Sequence, residues 1–167
     1  FTGGNNAGMQ WAQDHGYDYI FLHNGDGYIG PSCMESFVKA FEEDLTIGAG
    51  QALTLLHPEK DLINSAGNVY HFLGFGYCDM YRKRKDEVDL PSVKDIGYAT
   101  GASLFFRASI MKEIGLMEDA YYLYHEDTDY SLRMRIMGYR VVLVRDAEFF
   151  HHYTFGGRIA KKFFWIE

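Results

Sequence analysis

The sequence predicts an α/β layered fold, and three observations carry that reading. Apolar runs fit for buried strands, at 18–23, 47–55 and 141–146, alternate with segments whose apolar residues recur at helical spacing. Gly, Asn and Asp punctuate the junctions between them. With 167 residues, 47% hydrophobic and 17% aromatic, the chain has the bulk of one compact domain with a sizeable core.

Residues 5–16 are predicted helical, capped by Asn5 or Asn6 and closed by Gly16, with Gly8, Trp11, Ala12 and His15 on one stripe. The strand 18–23 follows and opens into Asn24, Gly25 and Asp26. Pro31 can start the next helix, on which Met34, Phe37, Val38 and Phe41 recur through about Glu43. After the strand 47–55, the segment His57 to Asp95 reads as irregular, rich in Gly, Asn, Tyr and charge. Such length inside a compact domain implies a binding loop or an insertion. Strand character resumes over 96–106, a short helix spans 107–115, a longer one 126–138, and a strand 141–146 closes the alternation. No internal repeat or low-complexity tract interrupts it.

A net charge of −7 argues against a nucleic-acid partner. The one basic run, 82–85, is followed at once by Asp86, Glu87 and Asp89 and reads as a solvated mixed-charge loop. Cys33 and Cys78 are too few for a disulfide framework and lack metal-ligand spacing, which fits a reducing, cytoplasmic compartment. No apolar stretch has the length of a membrane span and no signal segment opens the chain.

Three constellations can carry chemistry. Asp26 stands at a strand end among small residues, where a carboxylate can meet a hard cation and a phosphorylated ligand; Asn, Gly and Asp are also ordinary turn formers. In HEDTDYSLRMR at 125–135, Glu126 and Asp127 open a helix whose dipole favours their anionic forms. Further along that helix Asp129 pairs with Arg133, while Tyr130, Met134 and Met137 face the core. The aromatic DAYYLYH before it would wall a pocket. Finally, His151 and His152 follow the strand-like AEFF, and alternation sends the two rings to opposite sides, so one of them can complete a metal site begun by Asp26.

Together, GGNNAG at 3–8, DYIFLHNGD at 18–26, ATGASLFFR at 99–107, YLYHEDTDYSLRMRIMGYRVVLVRDA at 122–147 and the histidine at 151 resemble the family 2 glycosyltransferases. The resemblance is strongest to the bacterial rhamnosyltransferase-like or galactofuranosyltransferase-like branch. It implies a GT-A-like (Rossmann-like) mixed sheet flanked by helices, and inverting transfer from a nucleotide-diphosphate-sugar donor to a glycan or lipid-linked acceptor. It also implies a divalent metal, Mn2+ or Mg2+, with an imidazole ligand favouring manganese.

Position by position, Asn24 and Asp26 match the two ends of the family's D-x-D motif, with Asn in place of the first Asp and Asp26 on the metal. His151 matches the histidine that completes the metal site. Asp127 matches the catalytic base and Glu126 the neighbour that contacts the acceptor. Gly101 and Ala102 match the loop beside the donor sugar, and Gly4 and Asn6 fall in the segment that touches the nucleotide.

The family's first strand, helix and second strand would lie before Phe1, so residues 1–167 are expected to form a partial GT-A catalytic domain, incomplete at its N-terminus. RIAKKFFWIE at 158–167 resembles the start of a segment that continues in the family, and its KKFFWIE mixes lysines with aromatics as a membrane-surface or partner-facing segment does. The implied setting is polysaccharide synthesis for the cell envelope, in the cytoplasm or peripherally at the inner face of the membrane. Two rival readings use the same residues: a non-catalytic carbohydrate- or nucleotide-sugar-binding module of this fold, and a metal-dependent nucleotidyltransferase or phosphohydrolase.

Overall fold

The computed structural model describes residues 1–121 and 124–152. The chain runs α1 (Thr2–Asp14), β1 (Tyr19–His23), β2 (Gly27–Ile29), α2 (Cys33–Glu43), β3 (Ile47–Leu56), β4 (Ile63–Ser65), β5 (Asn68–Tyr70) and β6 (Gly76–Cys78). It continues with β7 (Val93–Asp95), β8 (Ser103–Arg107), α3 (Met111–Ile114), α4 (Glu126–Ile136) and β9 (Arg140–His151). Seven strands form one mixed sheet in the order β1-β8-β3-β9-β2, with β4 added to β3 and β7 to β9. β3 and β9 are parallel and the remaining pairs antiparallel.

Alternation along the strands splits the core into two layers. Leu104, Phe106, Val141 and Leu143 face Met9, Met111, Tyr130 and Met134 from the three helices on one side. Phe105, Val142, Val144 and Phe149 face Phe37, Ala40 and Phe41 of α2 on the other. All ten residues of β3 are buried, as a strand covered on both faces must be. The predicted layered architecture is therefore the observed one: a mixed sheet flanked by helices.

Several boundaries and faces differ from the expectation. On α1 the buried residues are Thr2, Asn6 and Met9, while Trp11 is 54% exposed and stacks on His15. The reason is polar. Thr2 donates to the Tyr121 carbonyl and the Asn6 amide to the Met117 carbonyl, which turns that face inward. On α2 the inward set is Cys33, Phe37, Ala40 and Phe41, leaving Met34 and Val38 at the surface. Tyr130 and Met134 are buried as predicted, but Met137 is exposed.

The expected helix over 107–115 is a 3-10 turn, Ala108–Ile110, followed by the single turn of α3. Within 96–106, only the last residues join a strand. The segment expected to be irregular holds four three-residue strands, too short to show a period. β9 runs beyond 146 to His151, so AEFFH belongs to the same strand.

The basic run behaves as a mixed-charge loop: Arg84 pairs with Asp61 at 2.6 Å and Asp86 at 2.9 Å, and Lys85 with Glu148 at 2.8 Å. Both cysteines are free, Cys33 buried and Cys78 exposed. Among the described residues no helix is long and apolar enough to cross a membrane. The KKFFWIE segment, and Tyr122 and Leu123 of the aromatic stretch, lie outside the described residues.

Candidate active site

The site is assembled where β1, β3 and β9 end, the place where open α/β sheets present ligand-binding groups. His151 is the last residue of β9, opposite Leu56 of β3 and Gly27 of β2. Gly27 is required by close approach: a Cβ there would lie 2.3 Å from the Phe149 ring and 2.7 Å from the Phe150 carbonyl. That contact draws the preceding residue onto β9. His152 N–H donates to the Asp26 carbonyl at 2.9 Å, and Asp26 Oδ1 lies 3.1 Å from His151 Nε2. Asn24 N–H donates to the Ala102 carbonyl, which brings its side-chain Nδ2 to 3.5 Å from the same ring nitrogen.

His151 is 5% exposed, and its Nδ1 is 3.0 Å from Oδ1 of the buried Asn64 on β4. Burial pushes its pKa below the usual 6.5, the opposing pull of Asp26 being smaller. A neutral ring that donates Nδ1–H to Asn64 turns the Nε2 lone pair toward Asp26 Oδ1. Two acceptors then face each other across 3.1 Å, an arrangement suited to a proton or a cation between them. His152 faces the other way, exposed, with its Nδ1 3.2 Å from that of His57. The two histidines thus lie on opposite sides, one buried and one exposed, as alternation along a strand predicts.

The other half of the site is the start of α4. Tyr124 and His125 both adopt left-handed backbone, at φ 71° and 69°, at a cost of about 1–3 kcal/mol each. The kink delivers Glu126 and Asp127 into the first turn of the helix. Gly101 N–H donates to Asp127 Oδ2 at 3.0 Å and Thr128 N–H to Oδ1 at 2.7 Å, so this carboxylate is fixed by backbone. Glu126 is only 6% exposed, and its Oε2 has no hydrogen-bond partner among the described residues. Burial, with a further push from Asp127, raises its pKa above the usual 4.5. The helix dipole favours the anionic form of both residues, and at Glu126 desolvation opposes it.

Two adjoining cavities, of about 360 and 220 Å³, share Thr100, Ala102, Tyr124, Glu126, Asp127 and His151 in their walls. Asn24, Gly101 and Phe1 complete the smaller, and the segment before β7 supplies Asn64, Gly76 and Cys78 to the larger. The structure thus brings together Asn24, Asp26, Gly101, Ala102, Glu126, Asp127 and His151. Gly4 and Asn6 stand apart. Gly4 is exposed on α1, and Asn6 spends its side chain on Met117 and Asp119. Asn64, which orients the histidine, carries no signal in the sequence, since it is one polar residue in an irregular stretch. A further cavity of about 380 Å³ lies around Tyr19 and Arg107, at the opposite ends of β1 and β8.

Among the described residues no three His, Cys, Asp or Glu side chains cluster as a metal cage. A cation at Asp26 and His151 would have a two-ligand protein site and draw its other donors from a ligand and water.

This layering, with the site at the strand ends, is the GT-A glycosyltransferase fold. GalNAc-T7, whose crystal structure holds UDP, GalNAc and Mn2+, superposes with a TM-score of 0.72 at 12% identity, over 94% of this chain and 31% of that one. A197 from STIV gives a TM-score of 0.58 at 10% identity, over 92% of this chain and 68% of that one. In sequence, the chain is 26% identical over 159 residues to the N-acetylglucosaminyl-diphospho-decaprenol L-rhamnosyltransferase of Mycobacterium tuberculosis, in strains CDC 1551 and H37Rv. The match takes in 87% of this chain and 49% of the relative, so the chain spans about half the length of these curated relatives. No family model matches it. The rhamnosyltransferase-like resemblance read from the motifs thus extends over most of this chain.

Proposed function

We propose that the protein is a nucleotide-sugar-dependent, inverting glycosyltransferase of the family 2 type, acting on a hydroxyl of a glycan or lipid-linked acceptor. The observation that carries this is the convergence of the Asp26–His151 pair and the backbone-held Asp127 around adjoining cavities. In-line displacement at an anomeric carbon needs a base on one face and a stabilised leaving group on the other. Asp127 accepts three hydrogen bonds, from Gly101 N–H, Thr128 N–H and Thr128 Oγ1, and its remaining lone-pair capacity takes the proton from the attacking hydroxyl. Glu126, buried beside Asp127, contacts the acceptor. Gly101 and Ala102 shape the wall against the donor sugar.

Asp26 Oδ1 and His151 Nε2 would hold a divalent cation, with Asn64 fixing the ring and Asn24 beside it. When bound, that cation supplies Lewis-acid neutralisation of the departing diphosphate. Manganese is favoured by the imidazole donor, and GalNAc-T7, which shares the fold, was crystallised with it. The rhamnosyltransferase relative is named for a decaprenol-linked acceptor, which supports a lipid-linked acceptor; the setting we infer is cell-envelope polysaccharide synthesis at the inner face of the membrane.

The test is a screen of nucleotide-diphosphate sugars with manganese and a soluble acceptor, reading nucleoside diphosphate release and the anomeric configuration of the product. Asp127→Asn should bind donor as the parent does and turn over at least about a hundredfold more slowly. Unimpaired transfer by that variant would remove the base assignment. Donor binding by the parent without turnover would favour the carbohydrate-binding module, and release of a nucleoside monophosphate the phosphohydrolase.

A further inference from the structure

The ribbon that walls the larger cavity continues outward into a tip that no other described element covers. β5 and β6 form their own two-stranded sheet, Asn68 opposite Cys78 and Tyr70 opposite Gly76, held at the base where Asn68 bridges Tyr98. At the turn, Phe72 is 86% exposed, Phe75 68% and Leu73 64%, with Tyr77 54% exposed one step back. A surface that meets only water avoids grouping large apolar side chains in this way.

Three further observations say what the tip meets. No Asp, Glu, Lys or Arg occurs between Asp61 and Asp79, in a chain that is 23% charged. The turn closes its own backbone: His71 N–H donates to the Phe75 carbonyl, Gly74 N–H to the His71 carbonyl and Leu73 N–H to His71 Nδ1. Polarity is graded, with Phe and Leu outermost and the amphipathic rings of Tyr70 and Tyr77 behind them. An uncharged, internally hydrogen-bonded wedge with tyrosines at its shoulder matches the polarity profile of a bilayer surface.

We propose that the β5–β6 tip inserts into a lipid bilayer and seats the larger cavity over a membrane-borne acceptor. Gly76 and Cys78 line that cavity together with Asp127, so the wedge and the site share one wall. This rests on the lipid-linked acceptor proposed above.

Flotation of the whole protein with vesicles of phosphatidylcholine and phosphatidylglycerol, without donor or metal, tests it. The parent should float, and the double variant Phe72→Ser/Phe75→Ser should partition at least about tenfold less. In Tyr77→Trp the added fluorescence should shift to the blue on vesicle addition. Both phenylalanines are exposed, so the double variant should keep the parent's melting temperature and its transfer to a soluble acceptor. Loss of transfer chemistry would leave the vesicle result standing, and absence of flotation would leave transfer to a soluble acceptor standing. Equal flotation of parent and double variant, or flotation of neither, overturns the proposal. So does a dimer that the double variant dissolves while neither protein binds vesicles.

Discussion

Glu126 and Asp127 are neighbours on one helix turn with opposite surroundings, and the difference has a measurable consequence. Burial raises the pKa of Glu126 in the folded chain, so the folded state binds that proton more tightly than the unfolded state. The linkage sign follows: this group costs nothing below the usual value near 4.5, and its ionisation reduces stability progressively as pH rises from there through the raised value. Glu126→Gln removes that penalty. Its melting temperature should match the parent's below pH 4.5 and exceed it by a margin that grows above that pH and levels off beyond the raised value; parallel pH profiles would show that the carboxyl is not desolvated. Asp26, Glu126 and Asp127 stand out as candidates from their local pattern, while Asn24 and the choice of His151 over His152 come from the family resemblance. Asn64 is legible from neither, since its value lies in a contact with a residue 87 positions away.

At the scale of elements, the pairing of β2 with β9 decides whether Asp26 reaches His151 at all. Gly27 sits opposite His151 with no room for a side chain. Gly27→Ala should cost about 1–3 kcal/mol through overpacking and shift Asp26 away from the ring. Denaturant melts combined with manganese titration check this: lower stability and weaker manganese binding are expected, and parent-like values for both would mean that β2 does not position the carboxylate. The main strands and helices were readable from apolar periodicity, whereas the inward faces of α1 and α2 were not. α1 turns Thr2 and Asn6 inward to satisfy carbonyls of residues 117 and 121, and hydrophobicity cannot forecast a polar anchor. The three-residue strands β4 to β7 are shorter than any period, so their segment read as loop.

Across the whole molecule, the layers follow from composition: strands apolar on both faces need helices on both sides. Sheet order is a different matter. The antiparallel β8 between β1 and the parallel pair β3 and β9 is set by chain-wide topology, and local pattern carries no information on it. That order is what carries Asp26, Asp127 and His151 to one end of the sheet from three distant parts of the chain. The most direct measurement is electron paramagnetic resonance of Mn2+ bound with a nucleoside diphosphate. We expect nitrogen hyperfine coupling from one imidazole, abolished in His151→Ala and retained in Asp127→Asn. Identical manganese spectra and affinities in the parent and His151→Ala would contradict the metal-bound diphosphate at the centre of the proposed chemistry.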